Sequence, residues 1–188
     1  GGVPVSGLGL GATTNPEAMY KTADTLNIYD GGGLDMAVLG LAEIDRHGNV
    51  NVSKFGGRAV GPGGFINIAQ NTKTVIFTGS FTAGGLTVVC EDGQLKINQE
   101  GRAVKFREQV EQITFSGDYA LRTGKRVLVI TERAVFRLTE NGLELVEIAP
   151  GMDLERDILS HMEFRPAISP DLKEMDARIF TDARMGLQ

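Results

Sequence analysis

The chain has 188 residues, of which 41% are apolar and 23% charged, enough for one domain with a hydrophobic core and unlike a disordered chain. The formal net charge of −5 argues against a nucleic-acid-binding protein. No apolar run approaches the ~20 residues of a membrane span, so we expect neither nucleic acid nor a membrane as partner. The single cysteine excludes an internal disulfide and favours the cytoplasm. With only two histidines beside it, we predict no metal site.

Glycine is unevenly distributed along the chain. Residues 1–85 contain 18 of the 25 glycines, and residues 86–188 contain the other 7. A Gly-X-Y period is absent, which excludes collagen, and apolar runs such as Met36–Leu39 argue against a flexible linker. Because predicted strands lie on both sides of residue 85 without a linker, we interpret residues 1–188 as one domain. It has a glycine-rich region, 1–85, and a region of hairpins and helices, 86–188.

The first region alternates between predicted helices and strands. Asn15-Pro16-Glu17 has the residues of a helix start and predicts a short helix ending near Ala23. A short strand is expected over 25–29, a helix over 65–71 and a buried strand over 73–78. The nearly continuous apolar run 34–44 predicts a strand buried on both faces, as in a parallel sheet. This alternation predicts a three-layer α/β domain with a mainly parallel or mixed central sheet.

The second region contains two hairpin signals, Asp92-Gly93 and Asn141-Gly142, each between apolar runs. Strands are predicted over 126–131 and 134–139, and one helical turn over 118–123. An amphipathic helix is expected over 152–162. Ser169-Pro170 predicts the start of a last helix with Leu172 to Phe180 on its buried side.

Three glycine loops are candidates for ligand binding, because glycine permits positive φ and close backbone approach. The spacing Gly7-x-Gly9-x-Gly11 departs from the dinucleotide fingerprint. The second loop is Gly31-Gly32-Gly33. In the third, Gly61-Pro62-Gly63-Gly64, two glycines precede a predicted helix, so their amides could face an anion or a developing oxyanion. The alternative is a tight loop that only connects strands.

The reactive side chains have structural explanations as well. Asp35 is interpreted as a cap on the triple-glycine turn, and Glu43 as the exit of a strand to solvent. Cys90 is predicted to be a small buried apolar residue. Glu132 and Arg133 are predicted to form a surface or inter-subunit ion pair.

A set of segments in fixed order is more specific than any single loop. The segments are GLGLGA (7–12), DGGGLDMAVLGLAEID (30–45), GPGGFINIA (61–69), KTVIFTGSFTAGG (73–85), ITERAVFRL (130–138) and FRPAISPDL (164–172). This set resembles the C-terminal, β-subunit-like half of a class I coenzyme A (CoA) transferase of the acetate/propionate type, over nearly all 188 residues.

The resemblance implies a NagB/RpiA-like α/β fold and ping-pong transfer of CoA between short-chain carboxylates such as acetate, propionate and acetoacetate. A glutamate attacks the acyl-CoA, and a glutamyl-CoA thioester forms. It implies oxyanion stabilisation by Gly63 or Gly64. It also implies a CoA channel lined by glycine-rich loops, with CoA as substrate rather than as a permanently bound cofactor. The CoA-binding residues expected on this basis are Gly31, Gly32, Gly33, Gly61, Gly63, Gly64, Thr82, Ala83 and Gly84.

Two departures from the family pattern matter. The resemblance places the nucleophilic glutamate just upstream of Gly1, and no glutamate within the 188 residues matches it. A lysine that some relatives place in the loop at 82–85 is absent. We therefore expect a complementary N-terminal half as partner, a homo-oligomer, and no activity in the isolated chain. The alternatives are a non-catalytic domain that binds a nucleotide or sugar phosphate with the same fold, and a scaffold domain without a ligand.

Overall fold

The computed structural model describes residues 2–4 and 13–187. The helices are α1 (Thr22–Asp30), α2 (Phe65–Gln70) and α3 (Gly117–Arg122), with a π-helical turn at Leu154–Ile158 and 3-10 turns at Leu159–His161 and Ala177–Phe180. The strands are β1 (Val3–Pro4), β2 (Thr13–Thr14), β3 (Met36–Gly40), β4 (Glu43–Asp45), β5 (Val50–Asn51), β6 (Lys54–Phe55), β7 (Arg58–Ala59), β8 (Thr74–Thr78), β9 (Thr82–Ala83), β10 (Thr87–Glu91), β11 (Gln94–Gln99), β12 (Ala103–Val104), β13 (Phe106–Arg107), β14 (Arg126–Ile130), β15 (Ala134–Thr139), β16 (Gly142–Ile148) and β17 (Ala167–Glu174).

A six-stranded sheet in the order β17-β16-β15-β14-β8-β3 forms the centre of the fold. Strands β3, β8 and β14 are parallel neighbours, β14 to β16 form an antiparallel meander, and β17 is parallel to β16. Strands from before and after residue 85 therefore share one sheet. The predicted α/β class with a mixed central sheet is confirmed.

The main core lies on one face of this sheet. Val75 and Phe77 of β8 point into it, as do Val127 and Val129 of β14, and all four are buried. Helix α2, helix α3 and the small β13-β4-β5 sheet cover this face. The rings of Phe81 and Phe106 stack with centroids 4.5 Å apart, and Phe136 lies 5.0 Å from Phe106. Full burial of each such ring contributes ~1.5–3 kcal/mol, so this aromatic cluster stabilises the whole sheet.

The opposite face of the sheet is covered near β15 but not at β3. Val135, next to the inward-facing Phe136, packs with Leu95 of the β10–β11 hairpin and with Phe180. At the other end Met36 and Val38 of β3 are 54% and 60% exposed. The prediction that the strand within 34–44 is buried on both faces is therefore wrong for the described residues, because no layer covers this face of the sheet at β3.

Both ends of the chain differ locally from the predictions. Helix α1 begins at residue 22, seven positions after the predicted Asn15 start, and includes the segment 25–29 predicted as a strand. Asn15 has a φ of +52°, which does not suit a helix N-cap. The α1 helix packs on α2. A Cβ added to Gly64, the N-cap residue of α2, would lie 3.4 Å from the side chain of Leu26. This tertiary contact outweighs the local preference of Ile28 and Tyr29 for a strand.

The predicted last helix is wrong, because Ala167–Glu174 forms the edge strand β17 and only Ala177–Phe180 is helical. Pro170 lies between the register pairs Leu145–Ile168 and Glu147–Lys173, where pairing with β16 is irregular. An edge strand tolerates proline there, since the missing N–H is not needed by the sheet. The two predicted hairpins, the α2 helix, the α3 turn and the buried strand β8 are confirmed.

Candidate functional site

The carboxyl ends of the parallel strands define one edge of the central sheet. The segment Gly79–Gly85, named here the cleft loop, follows β8, and Glu132 and Arg133 follow β14. Because α2 leads into β8, its N-terminal residue Phe65 and the preceding Gly61–Gly64 lie towards the same edge. Ligands of open α/β sheets bind at this edge.

An open cleft of about 500 Å³ lies along the cleft loop. Its lining includes Thr82, Ala83 and Gly84, three of the residues predicted to contact a ligand. Gly84 and Gly85 have φ values of +80° and +108°, so this backbone path requires glycine. The lining residues are Gly79, Ser80, Thr82, Ala83, Gly84, Gly85, Leu86, Val88 and Glu132.

The Gly61–Gly64 loop exposes its backbone before α2. Gly61 and Gly63 have φ values of +84° and +54°, and a Cβ at either would meet no atom within 4 Å. The Gly61 amide donates to Ser53 O at 3.1 Å, and Gly64 occupies the N-cap position of α2. The backbone at Gly61 and Gly63 is therefore open to close approach, and the role of Gly63 or Gly64 at an oxyanion stays a prediction.

The Gly31–Gly33 loop lies before β3, at the amino ends of the parallel strands and so opposite the carboxyl edge. Gly31 ends α1, Asn71 Nδ2 donates to Asp30 O at 2.5 Å, and Lys73 pairs with Asp35 at 2.7 Å. The five residues of β3 separate this edge from the carboxyl edge by about 16 Å. The structure does not bring Gly31, Gly32 and Gly33 together with the other predicted residues.

Arg133 is a buried charged residue beneath the cleft loop, and the sequence does not predict its burial. The prediction that Glu132 and Arg133 form a surface or inter-subunit pair is wrong, because the Arg133 side chain is 0% exposed. Arg133 Nε donates to Glu132 Oε1 at 2.7 Å, and Nη1 donates to Glu100 Oε2 at 2.7 Å. Its guanidinium lies 4.9 Å from the centroid of the Phe81 ring. The only sequence signal for this arrangement is the charged pair directly after a buried strand.

The carboxylate of Glu100 is held in its ionised form. Burial alone would raise its pKa, but hydrogen bonds from Arg133, Thr82 and the Gly101 amide outweigh burial and lower the pKa to about 2. Burial alone would lower the pKa of Arg133, but the carboxylates of Glu100 and Glu132 outweigh burial and raise it. Both charges therefore persist at neutral pH.

Lys105 is a second buried charge beside the cleft loop. Only 6% of the residue is exposed, and its ammonium donates to Ser80 O at 2.7 Å. Burial lowers its pKa, and the nearby Glu132 carboxylate partly offsets that effect. A Cβ on Gly79 would lie 2.9 Å from Lys105 Nζ, so glycine at this position gives the ammonium its room.

Two of the sequence predictions concern the beginning of the chain, which the structure does not describe. Gly1, next to which the nucleophilic glutamate is expected, lies outside the described residues, so the position of that glutamate stays a prediction. The Gly7–Ala12 loop likewise lies outside the described residues. In the part of the chain that is described, no glutamate lines the cleft except Glu132, which is engaged by Arg133 and the Phe81 amide.

The remaining sequence predictions fall elsewhere. Cys90 is exposed, so the prediction of a buried thiol is wrong. It lines a separate open cleft of about 750 Å³ at the tip of the β10–β11 hairpin. Glu43 accepts hydrogen bonds from Asn51 and from the Glu111 amide rather than ending in solvent. Within residues 2–4 and 13–187, no helix combines the length and apolar character that crossing a bilayer requires.

Comparison with known proteins identifies close relatives of the whole chain. It is 52% identical over 186 residues to the acetate CoA-transferase YdiF of Escherichia coli K12, covering 99% of this chain and 35% of that protein. It is 50% identical over 192 residues to the caffeate CoA-transferase of Acetobacterium woodii, covering 100% of this chain and 36% of that protein. The chain thus spans about a third of the length of these relatives. No model of a protein family matches it.

Solved structures agree with the sequence comparison. The apoenzyme of the acyl-CoA transferase YdiF from Escherichia coli O157:H7 superimposes with a TM-score of 0.91 at 52% identity, over 95% of this chain and 35% of that one. The glutaconate CoA-transferase of Acidaminococcus fermentans superimposes with a TM-score of 0.61 at 20% identity, over 85% of this chain and 62% of that one, which extends the likeness of fold. The acetate CoA-transferase subunit beta of Haemophilus influenzae is 30% identical over 158 residues, covering 83% of this chain and 60% of that protein.

Proposed function

We propose that this chain, a homologue of one segment of the CoA-transferases, forms the CoA-binding part of an enzyme that transfers CoA between acyl-CoA and a short-chain carboxylate. The observation that carries the proposal is the 52% identity to an acetate CoA-transferase over 99% of the chain. The carboxyl-edge cleft supports it, because three residues predicted for CoA binding line that cleft.

The proposed site consists of the two glycine loops at the carboxyl edge of the sheet. Thr82, Ala83 and Gly84 line the channel for CoA, and the amides of Gly63 or Gly64 stabilise the oxyanion of the tetrahedral intermediate. Gly31–Gly33 lie at the other edge, so we assign them to the turn between α1 and β3 instead of to the CoA site.

The proposed chemistry is covalent and uses a glutamate just upstream of Gly1. Its carboxylate attacks the acyl-CoA carbonyl, the C–S bond breaks, and an acyl-glutamyl anhydride and CoA thiolate form. The thiolate then attacks the glutamyl carbonyl and releases the first carboxylate, leaving a glutamyl-CoA thioester. The second acid takes the CoA by the reverse steps. A carboxylate nucleophile thereby divides one difficult exchange into easier ones.

The reaction requires a complementary segment. We propose that it packs beside β3, the last strand of the central sheet, and name this side of the sheet the open end. In the described residues β3 has a neighbour, β8, on one side only. The sequence of β3 is MAVLG, with Met36 and Val38 exposed, so the strand has neither the charged residue nor the proline that often protects a sheet edge. Most of the length of the most similar relatives lies outside the matched segment, since the chain covers 35% of the acetate CoA-transferase YdiF of Escherichia coli K12.

Isotope exchange in the complete protein that contains this chain tests the proposal. Acetyl-CoA and labelled propionate should yield labelled propionyl-CoA, and borohydride should trap a reduced glutamate after incubation with acyl-CoA. Ala83→Phe should raise the KM for acyl-CoA, because the ring would fill the cleft, whereas Ala183→Phe at an exposed site outside it should not. A folded complete protein that binds CoA without any exchange would instead support a non-catalytic binding domain.

A further inference from the structure

The cleft loop is held by ionised side chains at four of its seven residues. Lys105 Nζ donates to Ser80 O at 2.7 Å, and the Phe81 amide donates to Glu132 Oε2 at 2.8 Å. The Thr82 hydroxyl donates to Glu100 Oε1, and Arg102 Nε donates to Gly84 O at 3.1 Å. Hydrogen bonds to charged groups are about twice as strong as neutral ones, so these contacts restrict a loop whose glycines would otherwise leave its backbone free to move.

Arg133 connects two of these four contacts. Its Nε donates to Glu132, and its Nη1 and Nη2 donate to Glu100 at 2.7 and 3.1 Å. Nη1 also donates to Asp157 O at 3.0 Å. One guanidinium therefore fixes both the carboxylate that holds the Phe81 amide and the carboxylate that holds the Thr82 hydroxyl.

The cluster places cations and carboxylates side by side. Arg133 lies between the carboxylates of Glu100 and Glu132, and Lys105 and Arg102 donate to backbone carbonyls of the loop. His161 Nε2 lies 3.4 Å from Glu100 Oε2 at the exposed side of the cluster. Such a buried network contributes little net stability compared with a well-packed apolar one, because desolvation offsets the attraction between the charges. A role in fixing the geometry of the cleft explains its place better than a role in overall stability.

We infer that Arg133 is a positioning residue, which sets the conformation of the cleft loop against the CoA substrate through Glu100 and Glu132. This inference rests on the proposed function. Arg133 contacts no substrate itself, because it lies wholly beneath the loop. Misplacement of a binding wall by 1 Å costs up to about 100-fold in rate, so loss of this residue should reduce activity strongly.

The experiment compares Arg133→Met, Arg133→Lys and the control Arg165→Met in the complete protein. Arg165 forms an exposed pair with Glu155 away from the cleft. At a temperature where all variants remain folded, Arg133→Met should lower kcat/KM for acyl-CoA by about tenfold or more. Arg133→Lys should recover part of the loss, since one ammonium restores the charge but cannot bridge both carboxylates in the same geometry. Arg165→Met should match the wild type.

Hydrogen exchange separates this inference from the proposed function. In Arg133→Met the Phe81 and Thr82 amides should exchange faster than in the wild type, while amides of β14 and β15 keep their protection. If the wild type transfers no CoA, the proposed function fails, and unchanged exchange at 81–82 would independently overturn the positioning role. A folded Arg133→Met protein with kcat/KM within twofold of the wild type would also overturn it.

A milder variant covers the case in which Arg133→Met does not fold. Thr82→Val keeps the side-chain shape but removes the hydroxyl that donates to Glu100. It should lower kcat/KM in the same direction and by a smaller factor. Unchanged kcat/KM in Thr82→Val would then contradict the inference.

Discussion

Gly101 lies against the cleft loop, and its missing side chain permits that close approach. A Cβ there would lie 2.6 Å from Thr82 Oγ1 and 2.7 Å from Ala83 O, while a Cβ on Gly40 would meet no atom within 4 Å. Gly101→Ala should therefore destabilise the fold by about 1–3 kcal/mol through overpacking, and it should displace the cleft loop. Gly40→Ala should change stability by less than about 0.5 kcal/mol. Urea unfolding of the two variants measures the difference, and equal stability would contradict the close approach at Gly101.

Glu100 should make stability dependent on acid. Its pKa is lowered to about 2 in the folded chain, so the unfolded chain binds a proton first as the pH falls. The stabilisation is fully present above the ordinary carboxyl pKa and is lost as the pH falls from about 4.5 towards 2. Between pH 5 and pH 3 the wild type should therefore lose more unfolding free energy than Glu100→Gln. Glu140→Gln, an exposed change in the β15–β16 turn, should follow the wild type, and parallel curves for all three proteins would exclude the role given to Glu100.

Elements whose signal is local could be predicted from the sequence. Asp92-Gly93 adopts φ values of +53° and +73°, the left-handed pair that a tight hairpin requires, and this pattern is visible in the residue types alone. Helix α1 and strand β17 could not be predicted in the same way. Packing of Leu26 on α2 decides the first, and pairing with β16 across an irregular register decides the second.

The same distinction between local signals and long-range contacts applies to the residues of the candidate site. Thr82, Ala83 and Gly84 could be proposed because their segment matches a family pattern, and the structure places them in one cleft. The contacts of Arg133 with Glu100 could not be foreseen, because 33 residues separate the two in sequence and nothing local indicates their meeting.

The β10–β11 hairpin packs against the sheet through the side chain of Leu95, and this attachment can be tested. Leu95 is 2% exposed and packs with Met175 and Phe180, while its amide donates to Pro150 O at 2.9 Å. Leu95→Ala should cost about 2–5 kcal/mol of unfolding free energy, because it leaves a cavity beneath the hairpin. Val88→Ala, at a side chain 39% exposed on the same hairpin, should cost less than about 1 kcal/mol. Similar losses for the two variants, measured by denaturant unfolding, would show that the hairpin is held in another way.

At the scale of the whole molecule, the open end of the sheet is the surface where we propose that the complementary segment packs. Its core face is covered by helices and a small sheet, whereas Met36 and Val38 lie on an uncovered face beside the edge of β3 that has no partner among the described residues. An apolar edge of this kind is normally paired or protected, because its free N–H and C=O groups otherwise recruit other chains. The complementary segment of the proposed enzyme is the partner that fits both features, since it would add a strand to β3 and cover the two side chains.

Charge placed at this edge should prevent that assembly. Val38→Lys would bury an ammonium against the added segment, which should cost about 2 kcal/mol or more and weaken association by about 30-fold. Ile179→Lys, a change at another exposed apolar side chain near the opposite end of the sheet, should leave association unchanged. Both variants can be expressed separately from the rest of the enzyme, mixed with it, and followed by size-exclusion chromatography together with CoA transfer. The expected result is loss of complex and activity for Val38→Lys alone. Assembly of Val38→Lys with wild-type affinity would place the complementary segment on another surface.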